Sequence, residues 1–168
     1  MLLGIYIKNM ALTDDPRLLA MRNSLEAAGF PLYDIRTRDD VRPGTGMVLS
    51  IGGDGTFLSA SKRVADYGIP ILGVNLGRLG FLSENQPEDI APALVRHDYS
   101  LENRTMLKVS LTGCDACGNV DFWPYALNEV TVHRSGAAML GINVSLNGDK
   151  LPTYWADGLL VATSSGST

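Results

Sequence analysis

The sequence predicts an α/β domain followed by an all-β domain. Over the first hundred residues, apolar runs alternate with segments of helical spacing, which is typical of βαβ units around a parallel sheet. Beyond about residue 100, apolar and polar residues alternate singly between turn residues, which is typical of antiparallel strands. We therefore predict a parallel-sheet domain over residues 1–100 and an antiparallel β-sandwich domain over residues 101–168.

The first domain divides into alternating strands and helices. Leu18, Met21 and Leu25 lie at helical spacing, and Gly29 is placed to end that helix. Pro87 lies near the start of the last helix, a position where its missing N–H is tolerated. The predicted strands cover residues 2–8, 31–36, 47–51 and 69–75, and the predicted helices cover residues 15–30, 57–68 and 87–98.

The second domain contains short runs of alternating pattern. They fall within residues 104–113, 126–134, 138–148 and 157–164. About four or five strands fit between residues 104 and 168, fewer than a complete sandwich needs. The last run stops inside the glycine and hydroxyl loop "SSGST". We therefore expect the β-sandwich domain to be incomplete in this chain.

Composition excludes several classes of protein. The chain has 168 residues, of which 45% are hydrophobic and 19% charged, and its net charge of −4 argues against a protein that coats nucleic acid. No apolar run approaches the roughly 20 residues of a membrane span, so we expect a cytoplasmic protein without membrane contact. The pair Cys114 and Cys117 is half of a zinc site; we expect a hairpin loop with incidental thiols, the alternatives being a redox pair or an intermolecular metal site.

The stretch "GGDGT" follows the third predicted strand and places Gly52, Gly53 and Gly55 around Asp54. Glycines at this position let backbone N–H groups approach an anion closely. The usual phosphate-loop patterns are absent, and a carboxylate repels phosphate unless a cation or a transferable proton intervenes. Asp54 therefore indicates a divalent metal ligand or a general base, the alternative being a side chain that only caps the following helix.

Four motifs taken in order resemble the NAD kinase family over residues 48–168. They are "GGDGT", "GVNLGRLGFLSE", "ALNEVTVHR" and "DGLLVATSSGST". The first alone is shared with diacylglycerol and sphingosine kinases and resembles a phosphofructokinase loop. The second and third are the specific part.

The resemblance implies a kinase that uses ATP, or polyphosphate in some members, to phosphorylate the adenosine ribose 2′-hydroxyl of NAD. The family's fold, an α/β nucleotide domain followed by an all-β domain, agrees with the change of pattern near residue 100. Asp54 matches the family's general base, and Gly52, Gly53 and Gly55 match its phosphate loop. Mg²⁺ is implied as the ion that offsets the phosphate charge.

The resemblance also implies a dinucleotide site. Asn128 and Glu129 match the pair that holds the dinucleotide, although without the resemblance they indicate only a strand end or turn. Phe81 matches an aromatic beside the adenine pocket, the alternative being a core phenylalanine. Asp157 matches an aspartate that binds NAD, often across a subunit interface, which implies a homodimer or homotetramer.

The last motif departs from the family pattern. Ser165 and Thr168 match hydroxyls of the family's "T-P-T-G-S-T-A-Y" segment, but Ser164 stands where the family commonly has proline. The chain stops at Thr168, before the alanine and tyrosine of that segment. Two alternatives therefore stay open beside NAD kinase: a lipid kinase of the same superfamily, and a non-catalytic nucleotide-binding fragment.

Overall fold

A computed structural model describes residues 1–77, 80–113 and 122–166 of the chain. Cys114, Cys117 and Thr168 lie outside the described residues, and the predictions made for them stay predictions. The chain divides into two compact units, residues 1–102 and residues 103–168, which are described separately.

The first unit is a parallel sheet flanked by helices. Its elements in chain order are β1 (Leu2–Ile7), α1 (Pro16–Ala27), β2 (Leu32–Ile35), β3 (Thr45–Ile51), α2 (Asp54–Val64), β4 (Ile71–Val74) and α3 (Pro87–Arg96). The strand order is β2-β1-β3-β4, and each neighbouring pair is parallel. The predicted α/β fold is therefore confirmed for this part of the chain.

Both faces of the sheet are apolar because both are covered by helices. On one face, side chains of β1 and β3 pack with Leu18, Leu25 and Leu94 of α1 and α3. On the other face, Ala60 and Val64 of α2 pack in a second cluster. The strands accordingly show continuous burial rather than alternation, which is why the sequence pattern over 47–51 is an uninterrupted apolar run.

The helix ends follow the predicted signals. The Asp15 side chain accepts a hydrogen bond from the backbone N–H of Arg17 at 2.9 Å, and Pro16 occupies the first helical turn of α1. Gly29, just after α1, has φ +84°, a conformation that favours glycine. Two short 3-10 helices, Arg38–Asp40 and Ala65–Tyr67, lie where the sequence predicts a loop and the end of a helix.

The second unit consists of short antiparallel strands. They are β5 (Leu107–Lys108), β6 (Tyr125–Ala126), β7 (Glu129–His133), β8 (Leu140–Ile142), β9 (Ser145–Leu146), β10 (Asp149–Lys150), β11 (Tyr154–Ala156) and β12 (Gly158–Ala162). The described strands pair as β5 with β6, β7 with β12, β8 with β11 and β9 with β10. The antiparallel class is thus confirmed, but the predicted count of four or five strands is wrong: the described residues form eight short strands in separate two-stranded pairs, because turns divide the alternating runs.

The hairpin between β9 and β10 illustrates why these strands are short. Asn147 and Gly148 have φ +53° and +96°, the backbone of a two-residue hairpin turn. Turn residues of this kind interrupt the alternating pattern after a few residues. Large apolar side chains on the strands are exposed, among them Val132, Trp155 and Val161.

None of the described helices combines the length and the apolar character that a transmembrane crossing demands.

Neighbouring leucines of α1 provide a matched test of the first unit's core. Leu18 is fully buried, whereas Leu19 is 45% exposed. We expect Leu18→Ala to lower the free energy of unfolding by about 2–5 kcal/mol through lost burial and a cavity. Leu19→Ala should change it by less than about 0.5 kcal/mol. Urea denaturation of both variants measures the difference, and equal losses would contradict the placement of α1.

Candidate functional site

The glycine loop lies at the carboxyl edge of the parallel sheet. From β1 the chain leads to β2 on one side of the sheet, and from β3 it leads to β4 on the other. The loops after β1 and β3 therefore diverge and leave a crevice at this edge, which is where open α/β sheets bind ligands. Gly52, Gly53 and Asp54 follow β3 directly at this position.

The glycines of the loop differ in what they require. Gly52 is buried with φ +139°, and a Cβ on it would lie 2.5 Å from Thr56 Oγ1. Gly53 and Gly55 are exposed, and a Cβ on either would meet nothing within 4 Å. Gly52 is therefore needed for the turn itself, whereas Gly53 and Gly55 leave open space beside Asp54.

Asp54 is the first residue of α2, but its carboxylate does not cap that helix. The carbonyl oxygen of Gly53 accepts the hydrogen bonds from the N–H groups of Thr56 (2.8 Å) and Phe57 (3.2 Å). Because the carboxylate accepts hydrogen bonds from residues 81–83, the alternative in which Asp54 only caps the helix is wrong.

The carboxylate instead binds a segment that follows β4. Oδ2 accepts a hydrogen bond from the backbone N–H of Phe81 at 2.9 Å. Oδ1 accepts hydrogen bonds from the N–H groups of Leu82 at 2.9 Å and Ser83 at 3.0 Å. Three consecutive backbone N–H groups thus converge on one carboxylate, and we call residues 81–83 the amide nest.

The electrostatics of Asp54 follow from these contacts. Burial acts to raise the pKa of the half-buried carboxyl group, but the N–H donors of Leu82, Phe81 and Ser83 together outweigh burial and lower the pKa below its ordinary value. Asp54 is therefore ionised near neutral pH. In this arrangement it is a weaker base than an unbonded carboxylate.

Gly80 and Asn75 shape the segment that holds the carboxylate. A Cβ on Gly80 would overlap Asp54 Oδ1, so the absence of a side chain there permits the close approach. Asn75 is buried; its Nδ2 donates to the carbonyl oxygen of Ser83 at 3.2 Å and its Oδ1 accepts from the N–H of Gly77 at 2.8 Å. Asn75 is not among the predicted site residues, although a polar residue at the end of an apolar strand is a signal that could have found it.

Phe81 is not a core residue. Its side chain is 69% exposed, which contradicts the core alternative. Its backbone N–H is fixed by Asp54, so the exposed ring is attached to an anchored piece of chain. A role beside adenine stays a prediction.

In the second unit, the turn at 127–128 and the loop 163–166 lie together. The backbone N–H of Thr163 donates a hydrogen bond to the carbonyl oxygen of Asn128 at 2.8 Å. The Thr163 hydroxyl donates another to the carbonyl oxygen of Leu127 at 2.6 Å. A Cβ on Gly166 would overlap the Asn128 carbonyl oxygen, so the loop packs directly on the turn. The hydroxyl of Ser165 accepts a hydrogen bond from Arg104 Nη1 at 3.0 Å.

Asn128 presents an acceptor within this arrangement. Its Oδ1 is buried and has no hydrogen-bond partner among the described residues. Glu129 follows as the first residue of β7 and pairs with Ala162 of β12. The structure thus brings together Asn128, Glu129 and Ser165, three of the predicted dinucleotide residues.

Asp157 lies at the other end of the same strand pair. It precedes β12, whose first residue, Gly158, pairs with His133 at the far end of β7 from Glu129. Four steps of about 3.3 Å separate the two ends by about 13 Å. The exposed carboxylate forms an ion pair with Arg134 Nε at 2.6 Å. Within one chain, Asp157 does not join the Asn128 group.

The fold and the loop place the chain among α/β proteins with a ligand crevice at the carboxyl edge of a parallel sheet. Residues 13–98 match the ATP-NAD kinase N-terminal domain. The chain belongs to the NAD kinase family. It is 46% identical over 126 residues to the NAD kinase of Bacteroides fragilis, an alignment that covers 73% of this chain and 42% of that protein.

A second relative gives similar coverage. The chain is 41% identical over 150 residues to the NAD kinase of Methanopyrus kandleri, covering 87% of this chain and 51% of that protein. The chain therefore spans about half the length of the curated relatives it matches.

Two solved structures share the fold. Yeast NADH kinase complexed with NADH has a TM-score of 0.77 at 21% identity, with coverage of 100% of this chain and 59% of that one. An NAD kinase from Archaeoglobus fulgidus in complex with ATP has a TM-score of 0.66 at 22% identity, with coverage of 96% of this chain and 60% of that one. These likenesses confirm the fold class.

The close approach at Gly80 can be tested with a matched glycine. We expect Gly80→Ala to displace the Asp54 carboxylate and to raise amide hydrogen exchange at residues 81–83 by about tenfold or more, since local opening becomes easier. Gly53→Ala, where a Cβ meets nothing within 4 Å, is the control and should leave that exchange unchanged. Unaltered protection in Gly80→Ala would contradict the contact.

Acid should remove the contribution of Asp54 to stability. Because its pKa is lower in the folded than in the unfolded state, the carboxylate stabilises the fold above the unfolded pKa of about 3.9, and this contribution is lost as pH falls through the folded pKa. We expect Asp54→Asn to be less stable than wild type by about 1–3 kcal/mol at pH 6, with the gap closing below pH 4. Urea unfolding across this range checks it, and a gap that grows in acid would refute it.

Proposed function

We propose that this chain serves in the transfer of the ATP γ-phosphoryl group to the adenosine ribose 2′-hydroxyl of NAD, which gives NADP. The observation that carries the proposal is the ionised Asp54 on a glycine loop at the sheet's switch point. The relatives named NAD kinase support the choice of reaction. The two structural neighbours are complexes, one with NADH and the other with ATP, which supports nucleotides as ligands.

Asp54 supplies the base in this proposal. The 2′-hydroxyl is a poor nucleophile near neutral pH, so a carboxylate within hydrogen-bond reach is useful. The hydroxyl proton passes to Asp54 while the ribose oxygen bonds to the γ-phosphorus and the bond between that phosphorus and the ADP oxygen breaks. The open space at Gly53 and Gly55 gives the phosphates access to backbone N–H groups.

Mg²⁺ enters the proposal as an ion carried by the nucleotide. Among the described residues, no group of three or more His, Cys, Asp or Glu side chains could hold a metal ion. Mg²⁺ commonly binds substrate phosphates and one or two carboxylates rather than a cage of protein ligands. Asp54 is the carboxylate placed at the loop, and the ion would offset the charge of the phosphates there.

The second unit supplies the dinucleotide contacts in this proposal. The buried Oδ1 of Asn128 has no partner among the residues described, which suits an acceptor for a base amino group, and Glu129 suits ribose hydroxyls. Ser165 adds a hydroxyl from the adjoining loop. Phe81 belongs to the first unit, and a contact between its exposed ring and adenine stays a prediction from the sequence.

Asp157 would contribute from a second copy of the chain, because within one chain it lies at the opposite end of the β7–β12 pair from Asn128. A homodimer or homotetramer is therefore part of the proposal. Cytoplasmic location, absence of nucleic-acid and membrane partners, and a contact from Thr168 stay predictions from the sequence.

The reaction is tested by incubating the chain with NAD, ATP and Mg²⁺ and measuring NADP. We expect Asp54→Asn to lower NADP formation by about 10²–10⁴-fold, the usual contribution of a general base. The matched control is Asp66→Asn, which removes an exposed carboxylate that pairs with Arg38 away from the loop. NADP formation by Asp54→Asn at the wild-type rate would exclude the base assignment.

Other outcomes of the same experiment would select the alternatives. Phosphorylation of diacylglycerol or a sphingoid base without NADP would identify a lipid kinase. Calorimetric binding of ATP or NAD without any product would identify a nucleotide-binding chain that does not catalyse the reaction alone.

A further inference from the structure

The amide nest of residues 81–83 has the properties of an anion site. Three successive N–H groups point at one pair of oxygens, with N···O distances of 2.9, 2.9 and 3.0 Å. Successive backbone N–H groups of this kind form concavities that bind phosphate and other anions. In this structure the anion is the protein's own Asp54 carboxylate.

The nest holds this charge with peptide groups. Among the described residues, the ion pairs found do not include Asp54, so the N–H groups are its described partners. The fixed dipoles therefore make the position favourable for negative charge in general. Nothing in the three donors is specific for a carboxylate over a phosphoryl oxygen.

The carboxylate that fills the nest is only partly buried, whereas Leu82 and Ser83 are buried, so a ligand reaches their N–H groups once Asp54 has moved. Asp54 is half-buried, Gly53 and Gly55 beside it are exposed, and neither would bring a Cβ near another atom. The Phe81 side chain is exposed rather than folded over the site. The glycine loop therefore leaves open space next to the carboxylate.

We propose that the amide nest of residues 81–83 is a phosphate subsite, and that Asp54 occupies it as an internal substitute when no nucleotide is bound. This inference deepens the proposed function and rests on it for the identity of the anion as a nucleotide phosphate. Binding exchanges one set of hydrogen bonds for another: the N–H groups pass from the carboxylate to the phosphoryl oxygens.

The exchange links binding to reactivity. A carboxylate that has lost three donors and lies beside a bound phosphate holds a proton more readily, so it is a stronger base. Repulsion by the phosphate also drives it out of the nest. Asp54 would thus become available to the ribose hydroxyl only once a phosphate is in place.

The experiment uses inorganic pyrophosphate as the probe and NMR of the backbone amides as the readout. In Asp54→Ala the nest is empty, so we expect pyrophosphate to shift the amide resonances of residues 81–83. If Asp54 fills the nest of wild type about 90% of the time, the Kd of pyrophosphate should be about tenfold lower for Asp54→Ala than for wild type. The reason is that a site available for only a fraction of the time binds its ligand proportionally more weakly. Asp66→Ala is the matched control and should retain the wild-type Kd.

Wild type provides a second readout should Asp54→Ala fold poorly. There, pyrophosphate should shift the ¹³Cγ resonance of Asp54 as its donors leave. An Asp54 resonance that does not move at saturating pyrophosphate would overturn the proposal. Tighter binding to Asp54→Ala without a shift of the amides of residues 81–83 would also overturn it, because removing a negative charge alone would produce that result.

This test is separate from that of the proposed function, since pyrophosphate binding requires no NADP. NADP formation without a response at residues 81–83 would refute the phosphate subsite but would agree with the proposed reaction. A response at the nest without NADP from NAD and ATP would do the opposite.

Discussion

The hydrogen bonds between Asp54 and residues 81–83 are the constraint on which the carboxyl edge of the sheet depends. They join the loop after β3 to residues 81–83, which follow β4, and so extend the contact that the pairing of β3 with β4 begins. A side chain at position 80 would overlap the carboxylate, which explains the glycine there. Asn75 donates a hydrogen bond to the carbonyl oxygen of Ser83 and so fixes the same segment. One charged side chain therefore holds residues 81–83 against the loop that follows β3.

This constraint also explains how an aspartate is compatible with a loop suited to phosphate. Free in the crevice, the carboxylate would repel the anion that the glycines accommodate. Held by three backbone N–H groups, its charge is offset by fixed peptide dipoles. The same donors lower the pKa of Asp54 and so weaken it as a base, which means that good anchoring and good base catalysis oppose each other at this residue.

Much of the fold could be predicted because its signals are local. Apolar runs, helical spacing and glycine stops locate β1, α1 and β3, and turns such as Asn147-Gly148 separate the short strands. The partner of Asp54 could not be predicted, since it lies 27–29 residues away and the local pattern fits a helix cap equally well. Exposure of Phe81 and the buried, unpartnered oxygen of Asn128 likewise depend on tertiary packing, which spacing does not encode.

Some buried polar residues of the first unit lower its stability, because their side chains lack hydrogen-bond partners among the described residues. Of the four found there, Ser50, Asn75 and Ser83 lie at or next to the carboxyl edge. The hydroxyls of Ser50 and Ser83 have no partner among the described residues, and each buried unpaired hydroxyl costs about 1–3 kcal/mol. Both lie close to Gly73, which pairs with Ser50, and a Cβ added to Gly73 would overlap Ser83. Only small side chains fit where residues 81–83 contact β4, because this segment must lie directly against β4 for the amide nest to reach Asp54.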